Sequence, residues 1–262
     1  MNRIKKLFEH KSGNILSVFF TAGHPELNDT VEIITELAAS GVDLIEIGMP
    51  YSDPIADGTT IQASSFKALQ NGMSIQTLFD QLKGIREKVD IPLILMGYLN
   101  PVMQYGIEKF CEQAEKVGID GFILPDLPMA EYQAFYRKTF EQHALSNIFL
   151  ITPQTSEKRI QLIDEVSDSF IYVVSTDSTT GRTEGFNEQQ VAYFRRIQEM
   201  GLKNPHLIGF GISDHKSFSD ASAHAKGAII GSAFIKALEK EGSISERVRN
   251  FVHKIKGLEL QA

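Results

Sequence analysis

Eight short apolar runs, each separated from the next by a longer amphipathic stretch, constrain the fold of this chain more than any other feature. The runs are Ile15 to Thr21, Asp43 to Ile47, Pro92 to Tyr98, Gly121 to Leu124, Ile148 to Thr152, Phe170 to Ser175, His206 to Phe210 and Gly227 to Gly231. Most lack polar alternation, the pattern of parallel strands covered on both faces. Between them, Asp29 to Ala39, Ile107 to Val117, Glu131 to His143, Glu157 to Val166, Glu188 to Met200 and His215 to Ala225 carry apolar residues three and four apart, the spacing of a helix with one buried face. Parallel strands need such crossovers. Eight repeats without a linker or a break in composition predict an α/β fold, a single (β/α)8 barrel domain over residues 1–262. An open doubly wound sheet is the rival architecture. Two additions to the barrel are expected. Ile4 to His10 precedes the first strand and could plug the lower end, and Ile61 to Gln70 with Thr77 to Val89 give two helices after the second strand where one would suffice.

Charge and composition exclude several classes of function. A net charge of -7 with 23% charged residues gives no general attraction to nucleic acid or an anionic membrane. The most basic stretch, Arg247 to Lys256, reads as the solvated face of a helix. The first residues lack the apolar core of a signal peptide, and no apolar run approaches the roughly 18 residues that span a bilayer, so a cytoplasmic location is expected. Cys111 is the only cysteine, which leaves no internal disulfide, and its neighbours Phe110 and Ala114 make it a buried thiol. The seven histidines show no close metal-ligand spacing, so no metal is expected. No lysine stands at an expected strand C-terminus, which argues against Schiff-base chemistry. Neither a G-x-x-x-x-G-K-[ST] nor a G-x-G-x-x-G motif is present.

Barrel active sites lie at the C-terminal ends of the strands. Glu46 interrupts the second apolar run, where period two places it with Leu44 and Gly48 and sets Ile45 and Ile47 on the other face. An inward carboxylate among apolar side chains has its pKa raised and can exchange protons near neutral pH; a core acid satisfied by a partner is the alternative. Asp57, before Gly58 in the following loop, could reach over the barrel mouth or serve as a turn aspartate, and Asp53 in Ser-Asp-Pro has the stronger turn character. Phosphate binding is signalled by Gly209-Phe-Gly-Ile-Ser213 after the seventh strand and Gly231-Ser232 after the eighth, where glycine lets backbone N–H groups approach the oxygens. The polar run Ser175 to Gly185 is either a lid or an ordinary surface loop. Phe19, Tyr98, Leu124, Phe149 and Phe210 are candidates to line an apolar gap between the carboxylates and the phosphate donors.

These residues carry a specific resemblance. The run Glu46-Ile-Gly-Met-Pro-Tyr-Ser-Asp-Pro-Ile-Ala-Asp-Gly58 resembles the signature of the tryptophan synthase alpha chain family. The likeness extends through Phe19-Phe-Thr-Ala-Gly-His-Pro25, Met96-Gly-Tyr-Leu-Asn-Pro101, Pro125-Asp-Leu-Pro128, Gly209-Phe-Gly-Ile-Ser213 and Gly231-Ser-Ala233, essentially the whole chain. The resemblance implies retro-aldol cleavage of indole-3-glycerol phosphate to indole and glyceraldehyde 3-phosphate, late in L-tryptophan biosynthesis. It implies that Glu46 moves protons at indole C3 and the glycerol hydroxyl, that Asp57 accepts the indole N–H, and that Tyr172 assists. It places phosphate at Gly181, Gly211, Gly231 and Ser232, with Thr180 as a lid residue and Phe19, Tyr98 and Phe210 at the substrate. No cofactor is implied in this subunit. The implied partner is a pyridoxal-phosphate-dependent beta chain in an α2β2 complex, met by Asp53, Asn100, Pro101 and Asp126. One departure stands out: the family's Ser-Arg-x-Gly-Val-Thr-Gly-like run after strand six is Ser175-Thr-Asp-Ser-Thr-Thr-Gly181 here, without the arginine and first glycine. That departure keeps open a subunit that is weak in catalysis and chiefly binds and activates a beta chain.

Overall fold

The β-branched and aromatic runs form strands because both of their faces are covered, and the amphipathic stretches between them supply the cover. The computed structural model describes residues 2–175 and 186–258. Its strands are β1 (Ile15–Thr21), β2 (Leu44–Gly48), β3 (Leu93–Met96), β4 (Gly121–Ile123), β5 (Ser146–Asn147), β6 (Phe149–Ile151), β7 (Ile171–Val174), β8 (His206–Gly209) and β9 (Gly227–Ile230). All pairings are parallel, in the order β5-β4-β3-β2-β1-β9-β8-β7-β6. β5 and β6 are two halves of one barrel stave. β5 pairs with β4 and β6 with β7, while Ile148 between them donates its N–H to the Phe122 carbonyl at 2.9 Å, so the ring closes through the chain itself. This is the (β/α)8 barrel, with eight staves made from nine strand segments.

Each stave sends at least one large side chain into a shared interior, among them Ile15, Leu44, Ile94, Ile123, Ile148, Tyr172, Leu207 and Ile229. The opposite strand faces pack against the helices in a second, larger apolar layer. The helix Arg3–His10 closes the bottom as its pattern suggested. Ile4 is fully buried in the interior cluster, Leu7 and Phe8 pack against it, and the Phe8 ring sits 5.5 Å from that of Phe170. After β2 the two expected helices are Thr59–Gln70 and Ile75–Gln81. The second is shorter than its sequence pattern, because the chain turns at Gly84, at φ +77°, into the 3-10 turn Ile85–Glu87.

Other departures have local causes. The stretch Glu131 to His143 is helical but contains a π-helical turn over Tyr132–Tyr136. A helix at Leu99–Tyr105 has no counterpart in the sequence reading; Pro101 is tolerated because the first helical turn needs no N–H from it. Among the expected gap residues, Leu124 and Phe149 face the helical layer instead. β6 pairs Leu150 with Tyr172, so Leu150 has the inward parity and Phe149 the outward one, its ring 5.3 Å from Tyr132.

The bottom of the barrel is tied by Asp120, just before β4. Its carboxylate accepts from the Leu93 N–H at 3.0 Å, from Arg86 Nη2, and from Arg3 Nη1 at 3.3 Å, which links β3, the 3-10 turn and the plug helix. Asp120 is 4% exposed and the Arg86 side chain 17%. Removing one member of so buried a pair leaves the other charge uncompensated, with a cost of about 3 kcal/mol. Asp120→Ala should therefore lower unfolding free energy by about that amount, read from urea denaturation with an unchanged m value; a loss within error of zero would show that the network is dispensable.

Candidate active site

Glu46 lies on β2 between Leu44 and Gly48, opposite Phe19 on β1 and Ile94 on β3. Strand parity turns it inward, and closure of the ring leaves it with no exposed surface. One carboxyl oxygen, Oε1, accepts a hydrogen bond from the Ser17 hydroxyl at 2.8 Å; the other, Oε2, has no hydrogen-bond partner among the described residues. Burial without a cation pushes its pKa up to about 8, with the Ser17 hydrogen bond pulling the other way. Near neutral pH the carboxyl is therefore mostly protonated and able to give a proton.

Asp57 sits in the loop that leaves β2, and Tyr98 at the end of β3 fixes it. The Tyr98 hydroxyl donates to Asp57 Oδ2 at 3.0 Å and accepts from the Ala56 N–H at 3.0 Å. Burial raises the Asp57 pKa and the Tyr98 hydrogen bond opposes the rise. Tyr172, on β7 across the barrel, is 4% exposed, and its phenol is pushed well above its usual range by burial and by the charges of Glu46 and Asp57, so it remains a neutral donor. Its hydroxyl occupies space that exists only because Gly209 has no side chain: a Cβ there would stand 2.2 Å from the Tyr172 oxygen.

The cleft above these groups is lined by Phe19, Gly48, Tyr51, Asp57, Ile61, Met96, Gly97, Tyr98 and Pro125 among others. Phe19 is 7% exposed, and its ring covers Gly48, whose Cβ would lie 2.6 Å from it. The same ring approaches Gly231, which caps the helix Ser232–Leu238 and leaves that helix's first-turn N–H groups at the barrel mouth. At the neighbouring stave, Phe210 holds a left-handed conformation at φ +70° followed by Gly211 at +76°. Such a conformation persists in a non-glycine residue only when its surroundings fix it. The Ser175 hydroxyl does so by donating to the Phe210 carbonyl at 2.8 Å, and the Phe210 ring lies edge-on to Tyr172 at 6.3 Å.

The fold thus brings Glu46, Asp57, Tyr172, Phe19, Tyr98, Phe210, Gly211, Gly231 and Ser232 to one end of the barrel. Thr180 and Gly181 lie outside the described residues, as does the departure from the family pattern at Thr176 to Ser178. Asp53, Asn100 and Asp126 are exposed on the rim and Pro101 is half-buried there. Asn100 Nδ2 donates to the Tyr51 hydroxyl at 3.3 Å, and the Asp126 carboxylate accepts from the Leu99 N–H at 2.9 Å, which joins the loops after β2, β3 and β4. Ser17 escaped the sequence reading, although it is a polar residue at inward parity in a mostly apolar run, and Ser175 entered that reading only as the end of a strand and the start of a polar loop. A larger groove at the opposite end is lined by Lys5, Phe8, Lys203 and Lys226, but Lys203 and Lys226 already donate to the carbonyls of Glu165 and Ser12.

A (β/α)8 barrel with a fully buried carboxyl beneath a half-buried one at the C-terminal mouth is an enzyme of the barrel class suited to proton transfer on a substrate that is largely apolar where it reacts. Residues 5–261 match the family model described as tryptophan synthase alpha chain. The alpha chains of Christiangramia forsetii and Flavobacterium psychrophilum are 56% and 57% identical to it, covering 98% and 97% of this chain and 100% of each relative. Among solved structures, tryptophan synthase subunit alpha from Legionella pneumophila superposes with a TM-score of 0.88 at 31% identity, covering 98% of both chains. A chain of the tryptophan synthase complex from Pyrococcus furiosus superposes with a TM-score of 0.83 at 29% identity, covering 93% of this chain and 98% of that one. The chain belongs to the tryptophan synthase alpha chain family.

Burial of Glu46 also sets a dependence of stability on pH. Below pH 4.5 the carboxyl is protonated folded or unfolded; between 4.5 and about 8 the unfolded chain ionises while the folded one resists, so stability falls across that window. Glu46→Gln removes this term. The variant should gain on the wild type by on the order of a few kcal/mol between pH 5 and pH 9, measured by denaturant unfolding at both; a difference that does not change with pH would contradict the raised pKa.

Proposed function

We propose that Glu46 and Asp57 carry the lyase half-reaction of tryptophan synthase, cleavage of indole-3-glycerol phosphate to indole and glyceraldehyde 3-phosphate. Glu46 supports this reading most directly, as a mostly protonated carboxyl with one oxygen free in an apolar interior. It gives its proton to indole C3, and the cationic charge that develops at the ring nitrogen is met by Asp57, which accepts the N–H. The ionised Glu46 then takes the proton of the glycerol hydroxyl next to the ring. As that O–H bond breaks, the carbonyl of glyceraldehyde 3-phosphate forms, and the electron pair of the breaking C–C bond returns to the ring as indole. Tyr172 donates a hydrogen bond from across the barrel. Gly211, Gly231 and Ser232, together with Gly181, hold the phosphate through backbone N–H groups and a hydroxyl.

The pyridoxal phosphate of the synthase belongs to the beta chain, and this subunit acts without a cofactor. Asp53, Asn100, Pro101 and Asp126 form part of the surface met by the beta chain in an α2β2 assembly. Ile55, 91% exposed beside Asp53, and Met103, 52% exposed on the helix after β3, add apolar area to the same rim. A cytoplasmic location is part of this proposal, since the phosphorylated substrate does not cross membranes. A subunit that only activated its partner would have no use for an unpaired carboxyl in its core, which costs stability near neutral pH.

Glu46→Gln and Asp57→Asn should each lower indole release from indole-3-glycerol phosphate by about a hundredfold or more, in line with the loss of an acid–base or charge-stabilising group, while leaving the folded barrel intact by circular dichroism. Full release by both variants, assayed with the beta chain present, would refute the assignment.

A further inference from the structure

The inside of β1 holds a group that no part of the reaction described above uses. Ser17 is fully buried, has the inward parity of Ile15 and Phe19, and directs its hydroxyl at Glu46 Oε1 from 2.8 Å. The pairing of β1 with β2 sets Ser17 opposite Leu44 and Phe19 opposite Glu46, so the bond runs diagonally along the strands, and Oε2 remains on the side without a protein partner among the described residues. Among the described residues, this carboxyl in its apolar chamber has no other hydrogen bond to fix which oxygen faces the substrate. We propose that Ser17 is a positioning residue for the lyase reaction, holding Glu46 Oε1 so that Oε2 is presented to the substrate and supporting the carboxylate left once its proton has gone.

This inference rests on the reading of Glu46 as the proton donor. The bond does two things at once. It selects one orientation of the carboxyl, and it favours the ionised form, which makes Glu46 a stronger acid than burial alone would leave it. Among the described residues, the other titratable groups facing this interior are Tyr172 on β7 and Asp57 in the loop after β2. From the other elements packed on Glu46, β1 presents Ser17 and Phe19, and β3 presents Ile94 and Met96, none of which titrates. Tyr172 stays neutral through the working range because its phenol is pushed far above it. A change in the alkaline limb on removing Ser17 therefore reports on Glu46.

The test is Ser17→Ala and Ser17→Thr in the full chain with the beta chain present, with kcat and KM for indole-3-glycerol phosphate followed across pH, alongside an infrared titration of the Glu46 carboxyl identified by its loss in Glu46→Gln. The expected result for Ser17→Ala is a fall in kcat of about tenfold, the scale of a hydrogen bond to a charged group, with KM changed less than twofold. The alkaline limb and the infrared pKa should both move to higher pH, and Ser17→Thr, which keeps the hydroxyl, should return kcat and pKa toward the wild type. An Ala variant with unchanged kcat and an unchanged Glu46 pKa overturns the proposal. So does a fall in kcat with the pKa unmoved, since that is the signature of lost packing alone. If Glu46→Gln itself keeps full activity, the reading of Glu46 fails first, and the Ser17 proposal falls with it.

Discussion

Closing β1 to β9 into a ring forces alternate residues of every stave into one shared interior, and Glu46 enters that interior because it shares parity with Leu44 and Gly48. Its surroundings are apolar for the same reason that the barrel is stable: Ile15, Ile94, Ile123 and Ile229 fill the space that the ring encloses. The desolvation that pushes the carboxyl up to about 8 is thus a by-product of core packing. Water would lower that value, so the chemistry proposed for Glu46 depends on the core staying closed beneath it.

The two ends of the barrel divide the work. At the bottom, the plug helix and the Asp120 network exclude water and hold β3 and β4 in register. At the top, three groups of the site are held by a neighbour from a different stave: Asp57 by Tyr98, the Phe210 carbonyl by Ser175, and Glu46, deeper in its strand, by Ser17. Glycines make the close approaches possible. Gly209 yields its side-chain space to Tyr172, and Gly48 yields its own to Phe19. Bulk at either position would push apart groups whose mutual distance is the basis of the site.

The same strand ends continue outward into the rim. Tyr51 accepts from Asn100 on one side and its ring lies tilted 5.2 Å from that of Tyr98 on the other, so the loop that carries Asp53 and Asp57 is in contact with the segment that carries Asn100. Asp126 joins the next loop through the Leu99 N–H. Any partner that presses on Asp53, Ile55 or Asn100 therefore acts on the segment that positions Asp57, with few intervening contacts.

Much of this was legible in the chain. Eight apolar runs with amphipathic crossovers determined the strand count, the parallel pairing and the barrel, because these follow from local periodicity and the need to cover two faces. The inward direction of Glu46 followed from period two alone, and the family signature pointed to Asp57. The sequence misplaced Phe149, which takes the outward parity between inward Ile148 and Leu150, and it passed over the helix Leu99–Tyr105, which is anchored from a different loop by Asp126. It gave no sign that Tyr98 would hold Asp57 from 41 positions away or that Ser17 would reach Glu46 across 29. Parity groups the side chains of a strand by face, and the alternation of residues alone determines that grouping. Which inward side chains meet depends on how neighbouring strands slide against each other, and only closure of the whole ring decides that.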